Sequence, residues 1–167
     1  SGINFHQACI YATTVDLGTV IYNNGASGVG ATLTKDTPFA TLAIDGHTFV
    51  SPTDIGDRVL IKNQTNSAYN GVYTVTNVGS GASAWVLTRA TDFDSTGSGV
   101  DQIDAGDFFL VTAGATLANT SWVQQTPLPI TIGTTGIVFT EFGAPITYSA
   151  GTGLDLNGTV FSLETPV

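Results

Sequence analysis

Acid–base, nucleophilic or metal chemistry in this chain would have to rest on a short inventory. It holds two histidines, one cysteine and thirteen acidic residues against four basic ones, Lys35, Arg58, Lys62 and Arg89. A catalytic site needs titratable groups with a workable division of labour. His6 lies in an alternating, strand-like run and His47 directly follows the turn pair Asp45-Gly46, so packing or surface roles are expected for both. There is no Gly-x-Ser-x-Gly elbow, no Walker loop, no dinucleotide fingerprint and no His/Cys spacing for zinc. The glycine-rich stretch Gly25 to Gly30 lacks both a phosphate-binding lysine and a following helix, and makes no phosphate cradle.

The acidic residues come closest to a site. Asp92-Phe93-Asp94-Ser95-Thr96-Gly97 places oxygens and a glycine as a calcium loop would, but Ile103 stands where the bidentate glutamate belongs. An Asx-turn loop between strands is the expectation. A carboxylate pair for glycoside hydrolysis could be drawn from Asp92, Asp94, Asp101, Asp104 and Asp107, yet nothing local separates them from turn-forming aspartates. Tyr11, Tyr22, Tyr69 and Tyr148 lie near loops or strand ends, where a ring could stack on a sugar or fill a β-core. Catalytic, metal and cofactor-binding residues are therefore assigned as none, ligand-binding residues stay unassigned, and no cofactor is expected. Cys9, between Ala8 and Ile10, reads as a small core residue without an internal disulfide partner.

The elements that must position these residues are strands. The apolar residues follow a period of two rather than 3.6, and Val59-Leu60-Ile61, Val72-Tyr73-Thr74-Val75 and Phe108-Phe109-Leu110-Val111 are short β-branched or aromatic runs bounded by Gly, Asn and Asp. Twenty glycines and heavy threonine use oppose helix. The expected class is all-β, an antiparallel β-sandwich or small barrel with an internal hairpin duplication, plus a C-terminal β-hairpin. The duplication aligns residues 54–61 with 104–111 as two Asp-x-Gly-Asp turns followed by apolar strands, and Asn70-Gly71-Val72-Tyr73 with Asn119-Thr120-Ser121-Trp122. Two such hairpins face to face predict a shared core filled by Tyr73, Trp85 and Trp122. Residues 23–30 predict a flexible exposed loop, and Asp45-Gly46 and Asn157-Gly158 predict two-residue hairpin turns. The expected organisation is an N-terminal extension over residues 1–10, a β-rich domain over 11–145, and a C-terminal hairpin over 146–167 that starts a continuing fibre.

Charge narrows the function classes. With 10% charged residues against a usual quarter, the surface must be built from Thr, Ser, Asn and Gly, which suits an extracellular particle. A net charge of −9 makes nucleic acid a poor partner, and no stretch is long and apolar enough for a membrane-spanning helix. The chain has no methionine, and Ser1-Gly2 reads as the scar of a cleaved tag, so an excised segment of something longer is expected.

Several segments, taken in order, resemble a β-rich domain that recurs in tail fibre and other structural proteins of tailed bacteriophages. They are Tyr11-Ala12-Thr13-Thr14, Tyr22-Asn23-Asn24-Gly25 running into Gly28 to Thr34, Leu42 to Gly46, Gly56 to Thr65, Asn70 to Tyr73 and Leu87 to Asp92. Tyr148 to Leu154 with Phe161-Ser162-Leu163 resembles the repeat-like hairpin of such fibres. The resemblance implies a virion structural role in the phage tail, a homotrimer, contacts with other tail proteins, and host attachment through a surface glycan or protein receptor. It transfers no catalytic residue. A carbohydrate-active enzyme module and a secreted bacterial adhesin remain the alternatives, the first distinguishable by release of reducing sugar from host polysaccharide.

Overall fold

The computed structural model describes residues 2–143 and, beyond them, the backbone of the strands Leu154–Asn157 and Val160–Leu163. Short strands dominate, as threonine, β-branched and aromatic residues between glycine turns dictate. In chain order they are β1 (Asn4–Phe5), β2 (Tyr11–Ala12), β3 (Val20–Asn23), β4 (Thr32–Lys35), β5 (Ala43–Ile44), β6 (His47–Thr48), β7 (Arg58–Ile61), β8 (Gly71–Asn77), β9 (Val86–Arg89), β10 (Asp107–Val111), β11 (Thr120–Gln124), β12 (Phe139–Phe142), β13 (Leu154–Asn157) and β14 (Val160–Leu163). Among the described residues a single 3₁₀ turn, Ser67–Tyr69, capped by the Asn66 side chain, precedes β8.

Two sheets make a sandwich; neither closes into a barrel. One sheet has six strands in the order β2-β7-β8-β9-β4-β3, the other four in the order β1-β10-β11-β12. Alternation along β7 and β8 sends Leu60 and Val72 into the space between the sheets, where they meet Phe93, Ile103, Phe109, Val111, Ile137 and Phe139. Val59, Ile61, Tyr73 and Val75 point the other way. That second cluster is covered by Leu42, Ile44 and Phe49 from the β5–β6 hairpin and its flank. The six-stranded sheet is therefore apolar on both faces, which is why β7 is buried at every position.

The Asp45-Gly46 turn is a two-residue hairpin as expected, with both residues at positive φ (45° and 81°) and Ile44 paired to His47. Its Asp45 carboxylate accepts from the Thr116 and Leu117 backbone N–H groups and the Thr116 hydroxyl, tying this cover to the β10–β11 loop. The 23–30 segment is not a free loop. Ala26 and Val29 exchange backbone hydrogen bonds of 2.9 and 3.1 Å, and a Cβ added to buried Gly28 would lie 2.6 Å from the Asp94 carbonyl oxygen.

The aligned hairpins are equivalent down to their register. Val59 pairs with Tyr73 as Phe109 pairs with Trp122, and Gly56 donates to Val75 O as Gly106 donates to Gln124 O, at 2.8 and 2.9 Å. Gly56 and Gly106 sit at φ 89° and 94°. Their large aromatics are not equivalent. Tyr73 is fully buried in the second cluster, whereas Trp122 is partly buried beside the first, its ring under the Lys62 ammonium at 4.1 Å. A shared core of Tyr73, Trp85 and Trp122 does not form, because the six-stranded sheet lies between their clusters.

Residues 4–10, expected as an extension, are built into the fold. β1 runs parallel to β10, Cys9 bridges to Val111, and β2 then runs parallel to β7. One short segment thus passes from the edge of one sheet to the edge of the other, and both sheets are mixed rather than purely antiparallel. The C-terminal strands pair antiparallel, with Leu154 opposite Leu163 and Leu156 opposite Phe161. The expected use of that hairpin's apolar side chains lies outside the described residues.

Candidate functional site

Where the N-terminal segment crosses between sheets, it carries His6 into a buried ionic cluster. The His6 side chain is 1% exposed, and its Nδ1 meets Asp92 Oδ2 at 2.8 Å. Its Nε2 lies 3.1 Å from Asp107 Oδ1, off the hydrogen-bonding line, and is the one buried side-chain polar atom among the described residues without a hydrogen-bond partner. Arg58, from the start of β7, grips Asp92 with two parallel bonds of 2.8 and 3.0 Å. Its remaining bonds reach the carbonyls of Ala8 and Gln7. Asp107, fully buried at the start of β10, also accepts from the Asp104 N–H at 2.9 Å.

The electrostatics follow from this arrangement. Burial alone would lower the His6 pKa, but the close negative charge of Asp107 and the charge and hydrogen bond of Asp92 prevail and raise it to about 9. Asp92 is desolvated too, yet His6 and Arg58 hold its carboxyl well below the usual carboxylate range. Two cations thus face two anions between β1, β7, β10 and the loop after β9. Burial pushes the neighbouring Cys9 thiol up to about 12, so it stays protonated.

Above the cluster opens a two-lobed cleft. One lobe, about 330 Å³, is lined by Phe5, His6, Gln7, Arg58, Asp92 and Asp101, among others. The other, about 340 Å³, shares Gln7, Arg58 and Thr91 and continues over Thr74 and Thr88. The walls combine hydroxyl, amide and paired ionic groups with two strongly exposed apolar side chains, Phe5 (76%) and Val100 (72%). A separate cavity of about 410 Å³ between Asn24, Ser27, Ser95, Thr96 and the 130–132 segment has no ionisable lining.

The residues singled out in the sequence disperse. Tyr11 stacks on His47 at 4.4 Å and Tyr22 on Tyr69 at 4.6 Å, all packed toward the second cluster, and Tyr148 lies outside the described residues. His47 is paired with Asp54 at 2.9 Å on the far side of β7 from His6. Of the loop compared with a calcium loop and expected to be an Asx turn, Asp92 is engaged by Arg58 and His6, and no three potential metal ligands converge among the described residues. Of the five aspartates weighed for glycoside hydrolysis, Asp92 and Asp107 meet at His6 and Asp101 lines the cleft. Phe5 and Gln7 escaped notice, although the alternation of residues 3–10 already marked a strand. Comparison with protein-family models, with curated proteins and with solved structures found no match to this chain.

Proposed function

We propose that this chain is a structural module of a bacteriophage tail fibre or tail appendage that takes part in host attachment, assembled as a homotrimer. The observation that carries this reading is the placement of the chain's entry and exit. β1 and β12 are the two outer strands of the same four-stranded sheet, so the backbone enters at one edge and leaves at the other. A further strand pair, β13–β14, follows β12 along the chain, a serial arrangement of β-units that suits a fibre. The use of charge agrees with a scaffold role. Arg58, Asp92, His6 and Asp107 pin the sheets together, and Arg89 is held between Tyr22 and Tyr73 while donating to the Asn70 and Ala68 carbonyls. The ordered resemblance of its segments to tail fibre domains supports the same reading. An antibody raised against residues 11–143 should decorate the tails of intact virions in electron micrographs. Labelling of heads only, or of the bacterial surface without phage, would refute it.

A further inference from the structure

We infer that the two-lobed cleft above the Arg58–Asp92 pair binds an uncharged saccharide. This rests on the attachment reading and names the ligand class and the site. The chemistry of the lining selects the ligand. Anions find no accessible free cation there: Arg58 and His6 are matched by Asp92 and Asp107, Arg89 in the second lobe is 2% exposed and directed at the Ala68 and Asn70 carbonyls and the Tyr22 hydroxyl, and Asp101 adds negative charge at the rim. A purely apolar ligand would desolvate Thr74, Thr88, Thr91 and Gln7 without hydrogen bonds to replace water.

A sugar answers both faces of the cleft. The Arg58 guanidinium has five N–H donors, of which four are directed at Asp92, Gln7 O and Ala8 O, leaving one on Nη1. The Asp92 carboxylate accepts one bond at Oδ1 and two at Oδ2, which leaves an acceptor site on Oδ1 beside it. Donor and acceptor therefore stand side by side in a fixed plane, the pattern that adjacent hydroxyls of a pyranose ring complement. In the same lining, Phe5 offers a bare ring for the apolar C–H face of the sugar. That ring is fixed rather than loose, since it meets Phe108 edge-on at 5.1 Å and Phe108 meets Phe142 at 5.7 Å. Each lobe lies within the roughly 300–1,000 Å³ of small-molecule sites, and the shared Gln7, Arg58 and Thr91 make the pair suited to more than one residue of a chain.

The test is binding of the full chain to immobilised neutral oligosaccharides of glucose, galactose, mannose, rhamnose and N-acetylglucosamine, beside sialylated and uronic acid-bearing ones. Binding to neutral members is expected, weakened at least tenfold by Phe5→Ala and by Gln7→Ala with unchanged melting curves. Ser27→Ala, in the separate cavity, should leave binding intact. Binding only to acidic members, no binding at all, or binding indifferent to both cleft substitutions would overturn the inference. Virion labelling is read independently: labelled tails with no neutral saccharide bound would remove the cleft and leave the attachment reading standing.

Discussion

At His6 two effects of opposite sign compete, and the winner sets how stability responds to pH. Burial disfavours the imidazolium, but contacts with Asp107 and Asp92 raise its pKa to about 9 from an ordinary 6.5. A group whose pKa is higher in the folded state stabilises fully below the unfolded value and loses that contribution as pH rises through the folded one. The melting temperature should therefore fall between pH 6.5 and 9.5. His6→Gln should flatten that limb while costing about 1–3 kcal/mol at pH 6.5, because Asp107 and Asp92 lose a charged partner. Thermal melts of both proteins across that range check it; parallel curves would show that His6 does not carry a proton into the cluster. Asp92, held low by His6 and Arg58, contributes with the opposite sign and is lost as pH falls below the carboxylate range. Little of this was legible from sequence. Asp92 and Arg58 are 34 residues apart and Asp92 and His6 are 86 apart, and only the crossing of the N-terminal segment between sheets brings them together. Of the packing or surface roles expected for His6, its 1% side-chain exposure fits packing.

At the scale of elements, the two Asp-x-Gly-Asp hairpins offer an internal control. Gly56 and Gly106 share a left-handed backbone, so alanine at either should cost about 1–2 kcal/mol from conformation alone. Their surroundings differ. A Cβ at Gly56 meets nothing within 4 Å, whereas one at Gly106 would lie 2.6 Å from the backbone oxygen of Gly2. Gly106→Ala should therefore be the more destabilising in urea titrations, and a chain lacking residues 1–3 should show a smaller difference. Equal losses in the presence of residues 1–3 would mean that the N-terminal strand is not held against this turn. This repeat was readable because turn chemistry and period-two alternation are local, so the shared register of Val59–Tyr73 and Phe109–Trp122 could be aligned in advance. The burial of Trp122 could not. Which face of a strand is covered depends on the other sheet, and Trp122 borders the cluster between the sheets while Tyr73 lies beyond it. The parallel placement of β1 and β2 was equally hidden, since two-residue strands carry no periodicity of their own.

At the scale of the whole molecule, apolar demand and net charge oppose each other in assembly. The strands after Gly143 place Leu154 opposite Leu163 and Leu156 opposite Phe161, so four large apolar residues coincide in register within a two-stranded ribbon. A lone ribbon is marginal in water, and burying each such side chain is worth about 1.5–3 kcal/mol. Three chains meeting on an axis would supply that burial in copies of one surface, and closed rotational symmetry ends the assembly there. Against it stands the repulsion of chains that each carry a net charge of −9. Such repulsion is screened within about 8 Å at 0.15 M salt, so association should strengthen from low salt to physiological salt. Light scattering should then report a trimer for the full chain in 0.15 M salt, a shift toward monomer at low salt, and a monomer at both for a chain ending at Ser149. A full-length monomer at high concentration would refute the trimer. A chain ending at Ser149 that remained trimeric would place the interface on the sandwich itself, where the exposed Phe142 and Leu110 of the four-stranded sheet are the first surfaces to substitute.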